Sequence, residues 1–411
     1  MVRLLDTVNY DGIPLRIESP TDVFGYLTTT QPDTLLDLRN FLPSKREFLD
    51  DAELSGTGTS ANYNSNGHLD LTVGIDAGVR IARCRTAIHY QNAKAPIAFF
   101  TGHFLTDEPN VVKSVGLAFN NDYIYLENAN GQIRLNFGSN NIPNSIVNRN
   151  DWDDPLLGGN PSGYNLDLTR TFIFFITFQY LGVGGLFCGF EVGTKRYIVH
   201  QFNKNNSETL PYWKTPNLFP TYKIEKTVTG GNPSTLRQIC TNASNNGTGT
   251  KRKIPLYINN SVSLNLGTTS AGQYKGLIYF RLNPLYINNT VTISDISFLM
   301  SANNEFKIAV IRNPTISGSP PVISTWTDLE GSSVQYYCAV QGDLSSFLDA
   351  SDIDIKIQTI GTKSTQINPA NEIIQMTSKA DGTSDVYCLG LQLFDNNQTH
   401  LSSYVKLLED V

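Results

Sequence analysis

The chain has 411 residues, 40% of them hydrophobic and only 17% charged, with a formal net charge of −6. So large an apolar share, with 21 Phe and 19 Tyr, excludes disorder as the main state. The missing positive charge argues against nucleic acid as a partner, because phosphate binding is driven by clustered Lys and Arg.

The opening residues, MVRLLDTVNYDG, lack the apolar run of seven or more residues that a secretory leader needs, so export by that route is not expected. In 32–49, Leu35, Leu36, Leu38, Phe41 and Leu42 recur at three- and four-residue spacing, which predicts a short helix. Residues 1–50 are therefore expected to form an arm or adaptor outside the domain cores.

From Leu54 the pattern becomes alternating, and His68-Leu69-Asp70-Leu71-Thr72-Val73 reads as a half-buried strand. Strand-like runs then return every 8 to 12 residues, among them PIAFFTGHF, DYIYLEN, QIRLNFG, TFIFFITFQYL and KRYIVHQF. Asn130-Gly131 lies between two such runs and supplies the positive φ angles of a two-residue hairpin turn. The most apolar run, FIFFITF at 172–178, is far shorter than the roughly 20 residues of a membrane-spanning helix. After the polar stretch 241–253 a second set of strands follows, from KIPLYINN to DVYCLGLQLF. LYINNS at 256–261 returns as LYINNT at 285–290, too short and too rare to signal a repeat architecture. The predicted fold is all-β: two tandem antiparallel β-sandwich, jelly-roll-like domains over 51–225 and 226–411, preceded by the 1–50 arm.

Catalytic signatures are scarce. GNPSG at 159–163 puts its serine one place out of register for a nucleophile elbow, and GVGG at 182–185 falls between strands, where it reads as a bend. The five cysteines (84, 188, 240, 338, 388) are widely spaced and sit in apolar runs, so they read as buried thiols and not as zinc ligands. The histidines at 68, 89, 103, 200 and 400 are scattered one per segment. No cofactor, metal or enzymatic activity is expected.

Two features have a binding reading. Asp151, Asp153 and Asp154 surround Trp152, a grouping that suits Ca²⁺ ligation by oxygen or sugar stacking on the indole, against the plainer reading of an acidic turn closing one end of a sandwich. Trp213, in another loop, is a second aromatic candidate for glycan contact. Six Asn-x-Ser/Thr sequons, at Asn205, Asn242, Asn246, Asn259, Asn288 and Asn397, follow from the Asn- and Thr-rich composition.

Leu166 to Thr169, Tyr180-Leu181-Gly182-Val183-Gly184, His200-Gln201-Phe202-Asn203 and Thr215-Pro216-Asn217-Leu218 with Tyr222 form an ordered series, preceded by Gly56-Thr57-Gly58. Over about 54–225 this series resembles structural proteins of large double-stranded DNA viruses and tailed phages; FKIAVIRNPTISG at 306–318 extends the resemblance faintly. A "Y-PGK" turn of that family is replaced here by His89-Tyr90-Gln91-Asn92-Ala93-Lys94. The resemblance implies a β-sandwich virion component without catalytic residues: a minor capsid, vertex or decoration protein that contacts other virion proteins and copies of itself. The alternative is a spike, fibre or tail protein that binds a host-surface glycan through its loops. A carbohydrate-active enzyme would need two carboxylates about 5–9 Å apart across a sheet, and no Glu-x-Asp-x-Glu string is present.

Overall fold

The computed structural model describes residues 7–10, 13–16, 33–40, 48–91, 94–159, 161–193, 195–245, 253–264, 273–300, 305–315, 322–339, 347–349, 354–362, 364–367, 374–394 and 399–410. Strands dominate these residues, and the only helical turn among them is Arg149–Asp151. Antiparallel pairing prevails among them, from the tight hairpin of 122–129 on 132–138 to the long ladder of 253–264 on 399–410. The expected all-β sandwich class is what the structure shows.

The chain divides into two units, one of 1–46, 53–82 and 88–249, the other of 47–52, 83–87 and 250–411. The first unit is built on two sheets. One runs Ser145–Asn148, Gln132–Gly138, Asp122–Ala129, Val111–Phe119, Phe219–Lys226, Gly78–Cys84 and Leu49–Gly56, the last two contributing 78–82 and 53–56 to this unit. The other runs Lys195–Phe202, Leu186–Val192, Phe172–Phe178, Pro96–His103, Ser234–Asn245, His68–Val73 and Thr59–Asn64. Their inner faces meet through aromatic rings. Phe172, Phe174, Ile176 and Phe178 alternate inward and are at most 3% exposed, while on the opposite face Ile173 is 37% exposed and Phe175 is packed down to 3%. Tyr222 ties the sheets together, its ring edge-on to Phe100 and its hydroxyl 3.0 Å from the Cys240 carbonyl. The hairpin at Asn130-Gly131 forms as expected, with φ of 55° and 84° and Ala129 paired to Gln132.

Two expectations are corrected. The part of 32–49 that the structure describes is extended: Asp33–Arg39 is a strand paired with residues 240–245 of Ser234–Asn245, while His68–Val73 pairs with the earlier half of the same edge. The leucine spacing fits either element, and an otherwise bare strand edge decides it; Leu38 and Asn40 are buried two residues apart, and Asn40 Nδ2 donates to Gln238 Oε1. Residues 32 and 41–47 lie outside the described residues. The expected boundary at 225/226 also moves, to 249/250. Residues 227–233 are a crossover from Phe219–Lys226 in one sheet to Ser234–Asn245 in the other, so they connect the layers of one unit and do not link two domains.

In the second unit the described strands form one twelve-stranded sheet, whose main path is Lys253–Leu264, Thr399–Asp410, Val291–Met300, Ser364–Ile367, Asp354–Thr362, Glu305–Arg312, Val386–Leu393, Gln273–Leu282, Val334–Cys338 and Thr327–Asp328. The sheet bends back on itself: Asn260 Nδ2, on the first strand of that path, donates to the Leu277 carbonyl near its far end. The first LYINN lies in a strand, while the second, at 285–289, forms successive turns. The same five residues thus take two conformations according to their surroundings.

Candidate functional site

The residues singled out from sequence have other duties. Trp152 is 4% exposed; its indole N–H donates to the Val147 carbonyl at 3.1 Å and its ring stacks on Phe190. Asp154 is buried and accepts the Leu156 N–H at 3.0 Å. Asp153 accepts the Gln201 N–H at 2.9 Å and lies 3.2 Å from His200 Nδ1. Burial pulls the His200 pKa down, against the smaller opposing effect of Asp153. Asp151 is exposed. Beneath them Arg149 donates to the carbonyls of Pro155, Leu156 and Leu166 at 2.7 to 2.9 Å, which braces the loop from inside. Among the described residues no group of three or more His, Cys, Asp or Glu converges as metal ligands would, so the Ca²⁺ reading of 151–154 has no geometry behind it.

Trp213 is fully buried, its N–H donating to the Gly138 carbonyl at 3.0 Å and its ring packed among Phe137, Phe178 and Tyr212. Neither indole is open to a sugar. Both close a sandwich, because a tryptophan whose N–H finds a carbonyl loses little by burial and contributes a large apolar area.

The third tryptophan is placed differently. Trp326 is half-buried and, with Ile323 and Val386, packs against a core of Tyr274, Tyr279, Ala309, Ile311 and Cys388. It also lines a cavity of about 200 Å³ that Arg281, Asn313 and Lys379 share. Sheet register brings these distant residues together. Arg281 is the cross-strand partner of Gln335 on one side and of Val386 on the other, so all three share a face. The Arg281 Nε donates to Gln335 Oε1 at 3.0 Å, and its guanidinium carbon lies 4.2 Å from the centre of the Trp326 ring.

Asn313 sits just beyond Glu305–Arg312 with φ at 51°, a left-handed conformation that Asn tolerates better than most residues. Its side chain is pinned, Oδ1 accepting the Val386 N–H at 3.0 Å and Nδ2 donating to Asp385 Oδ1 at 2.6 Å. Asp385 is fully buried and bound by Arg85, which also holds Asp50 at 3.0 Å; Asp50 in turn accepts the Ala380 N–H at 2.7 Å, beside Lys379. A buried Asp-Arg-Asp set thus fixes the backbone under the cavity.

None of the residues lining the cavity is a carboxylate. Burial draws Arg281 below the usual guanidinium range. The arrangement can bind a polar, electron-rich ligand; among its lining residues there is no paired acid and base to perform chemistry on one. Sequence reasoning missed Trp326, Arg281, Asn313 and Lys379. The one available signal was an aromatic in the Pro- and Ser-rich stretch ISGSPPVISTWTD.

No family model and no curated protein matches the chain. Solved structures do. The carbohydrate recognition domain of Emp47p is 12% identical, covering 52% of this chain and 95% of its own, with a TM-score of 0.34. A glycosyl hydrolase family protein from Mycobacterium fortuitum is 11% identical, covering 51% and 99%, at 0.35. Lectin UEA-II complexed with galactose is 10% identical, covering 52% and 100%, at 0.33. Scores this low carry no inference about what this chain does.

Proposed function

We propose that this chain is a non-enzymatic recognition protein whose second unit binds a glycan in the Trp326 cavity. One observation carries the reading: a tryptophan, two cationic side chains and a fixed asparagine amide converge on one concavity, the mix of apolar wall and few placed polar groups that small-ligand sites use. The sequence resemblance supports placing such a protein on a virion. A glycan array probed with the full chain tests the proposal. Specific binding that disappears in Trp326→Ala while the far-UV spectrum is kept is the expected result; a blank array overturns it.

A second reading, a capsid, vertex or decoration component that meets neighbouring subunits, is favoured by the outer face of the first unit. There Ile97, Phe99, Ile173, Phe187 and Ile198 lie on one side of the sheet, with Ile173 37% and Ile198 52% exposed and Arg196 laid over Phe99. Purified particles containing the chain, and loss of incorporation on deleting residues 1–32, would support it. The deletion stops there because Asp33–Arg39 belongs to a sheet. A chain absent from purified particles overturns it.

A further inference from the structure

Resting on the glycan-binding reading, we propose that the Trp326 cavity selects one terminal sugar ring bearing a carboxylate, with Arg281 as the bidentate anchor and Lys379 as the second positive charge. The charge pattern points there first. Arg281 and Lys379 both line the cavity, and among the described residues neither has a carboxylate within ion-pairing distance. The buried acid of this floor, Asp385, is committed to Arg85, Asn313 and Thr377. Arg281 is part-buried, and a guanidinium partly withdrawn from water gains from an anionic partner, which a ligand would supply.

The second argument is orientation. Among the described residues the Arg281 fork has one donor bonded, Nε, to Gln335, and Gln335 is itself held by Asp328 at 2.9 Å. The Trp326 ring lies 4.2 Å from the guanidinium carbon and holds that head beside the cavity, where its Nη groups can meet a planar two-oxygen acceptor. Size limits the rest. About 200 Å³ falls below the roughly 300–1,000 Å³ of drug-sized sites, which suits one sugar ring and not an extended chain.

Calorimetry on the full chain with methyl glucuronide, its methyl ester, methyl glucoside and methyl glucoside 6-sulfate separates the possibilities, alongside the same set built on N-acetylneuraminic acid. One of the two free acids is expected to bind at least about tenfold more tightly than its ester and the neutral sugar, with affinity falling as salt rises. Arg281→Lys keeps the charge but not the fork, and is expected to lose most of that preference; Lys379→Gln is expected to lose a few-fold. Equal binding of acid and ester overturns the selectivity while leaving glycan binding intact. Preference for the sulfate overturns the carboxylate assignment. Binding of none of these, together with a blank array, removes both readings. The acid–ester comparison on the unmodified chain does not depend on any variant folding.

Discussion

In the first unit Trp152 and Trp213 are packed out of solvent with their N–H groups on carbonyls, whereas in the second Trp326 stands half-exposed between an apolar core and two cations that have no carboxylate partner among the described residues. The contrast teaches how little residue type says about role. Each indole lies at or beside a loop, but what lies beneath differs: a ring-filled interior in one case, a charged and hydrogen-bonded floor in the other. An interior of rings pulls a tryptophan in, while a floor already satisfied by Arg85, Asp50 and Asp385 leaves its neighbour outside.

The largest expected effect tests the buried side. Trp213→Ala removes a ring from among Phe137, Phe178 and Tyr212 and takes the indole N–H away from the Gly138 carbonyl, which should cost about 3–5 kcal/mol in urea unfolding. A loss under about 1 kcal/mol would mean that this end of the sandwich is not closed. On the other side, Arg85→Met leaves Asp50 and Asp385 buried without their shared cation and should cost about 3 kcal/mol or more. An unchanged urea midpoint would remove the Asp-Arg-Asp set as the support of the cavity floor.

Alkaline titration reads both interiors at once. Burial pushes the Cys84 thiol up to about 12 from an ordinary 9.0 and raises Cys188 and Cys388 as well, so above pH 9 these thiols ionise in the unfolded chain before the folded one. Each then removes about 1.4 kcal/mol per pH unit. Lys113 works the other way. Buried, and donating to the Phe104 and Thr106 carbonyls, it titrates near 8 against 10.5 unfolded, so it adds stability as pH rises through that interval. Three thiols outweigh one amine, and the urea midpoint should fall between pH 9 and 10.5, more steeply in Lys113→Met. A flat profile would show that the thiols are not held in apolar surroundings.

How much of this was legible follows from what each signal depends on. The Asn130-Gly131 hairpin and the alternation of 68–73 are local properties, and the structure keeps both. The leucines before residue 42 carry a spacing that suits helix or strand, and a bare edge about 200 residues away settles it. Lys226 and Ser234 look like the two sides of a linker because sequence does not reveal that they stand in opposite sheets of one unit. LYINN, extended once and turned once, makes the same point. The cavity was invisible for a related reason: Arg281, Trp326 and Lys379 have no common motif, and only the ladder pairing Arg281 with Gln335 and Val386 makes them neighbours.

The smallest effect bears on the comparison most directly. Trp326→Phe should change stability by no more than about 1 kcal/mol, because one side of the ring already faces the cavity. Its optical consequence is larger. Of three tryptophans only Trp326 meets solvent, so iodide should quench one emitting component and spare the other two. Iodide is an anion and Arg281 stands 4.2 Å from that ring, so quenching should exceed that by neutral acrylamide at equal concentration and decline with added chloride. In Trp326→Phe the accessible component should vanish. If quenching persists there, one of the first unit's indoles is open and the contrast between the units fails. If iodide and acrylamide quench alike, the ring is open but the cations beside it do not gather anions, and the acidic-sugar proposal loses its electrostatic basis.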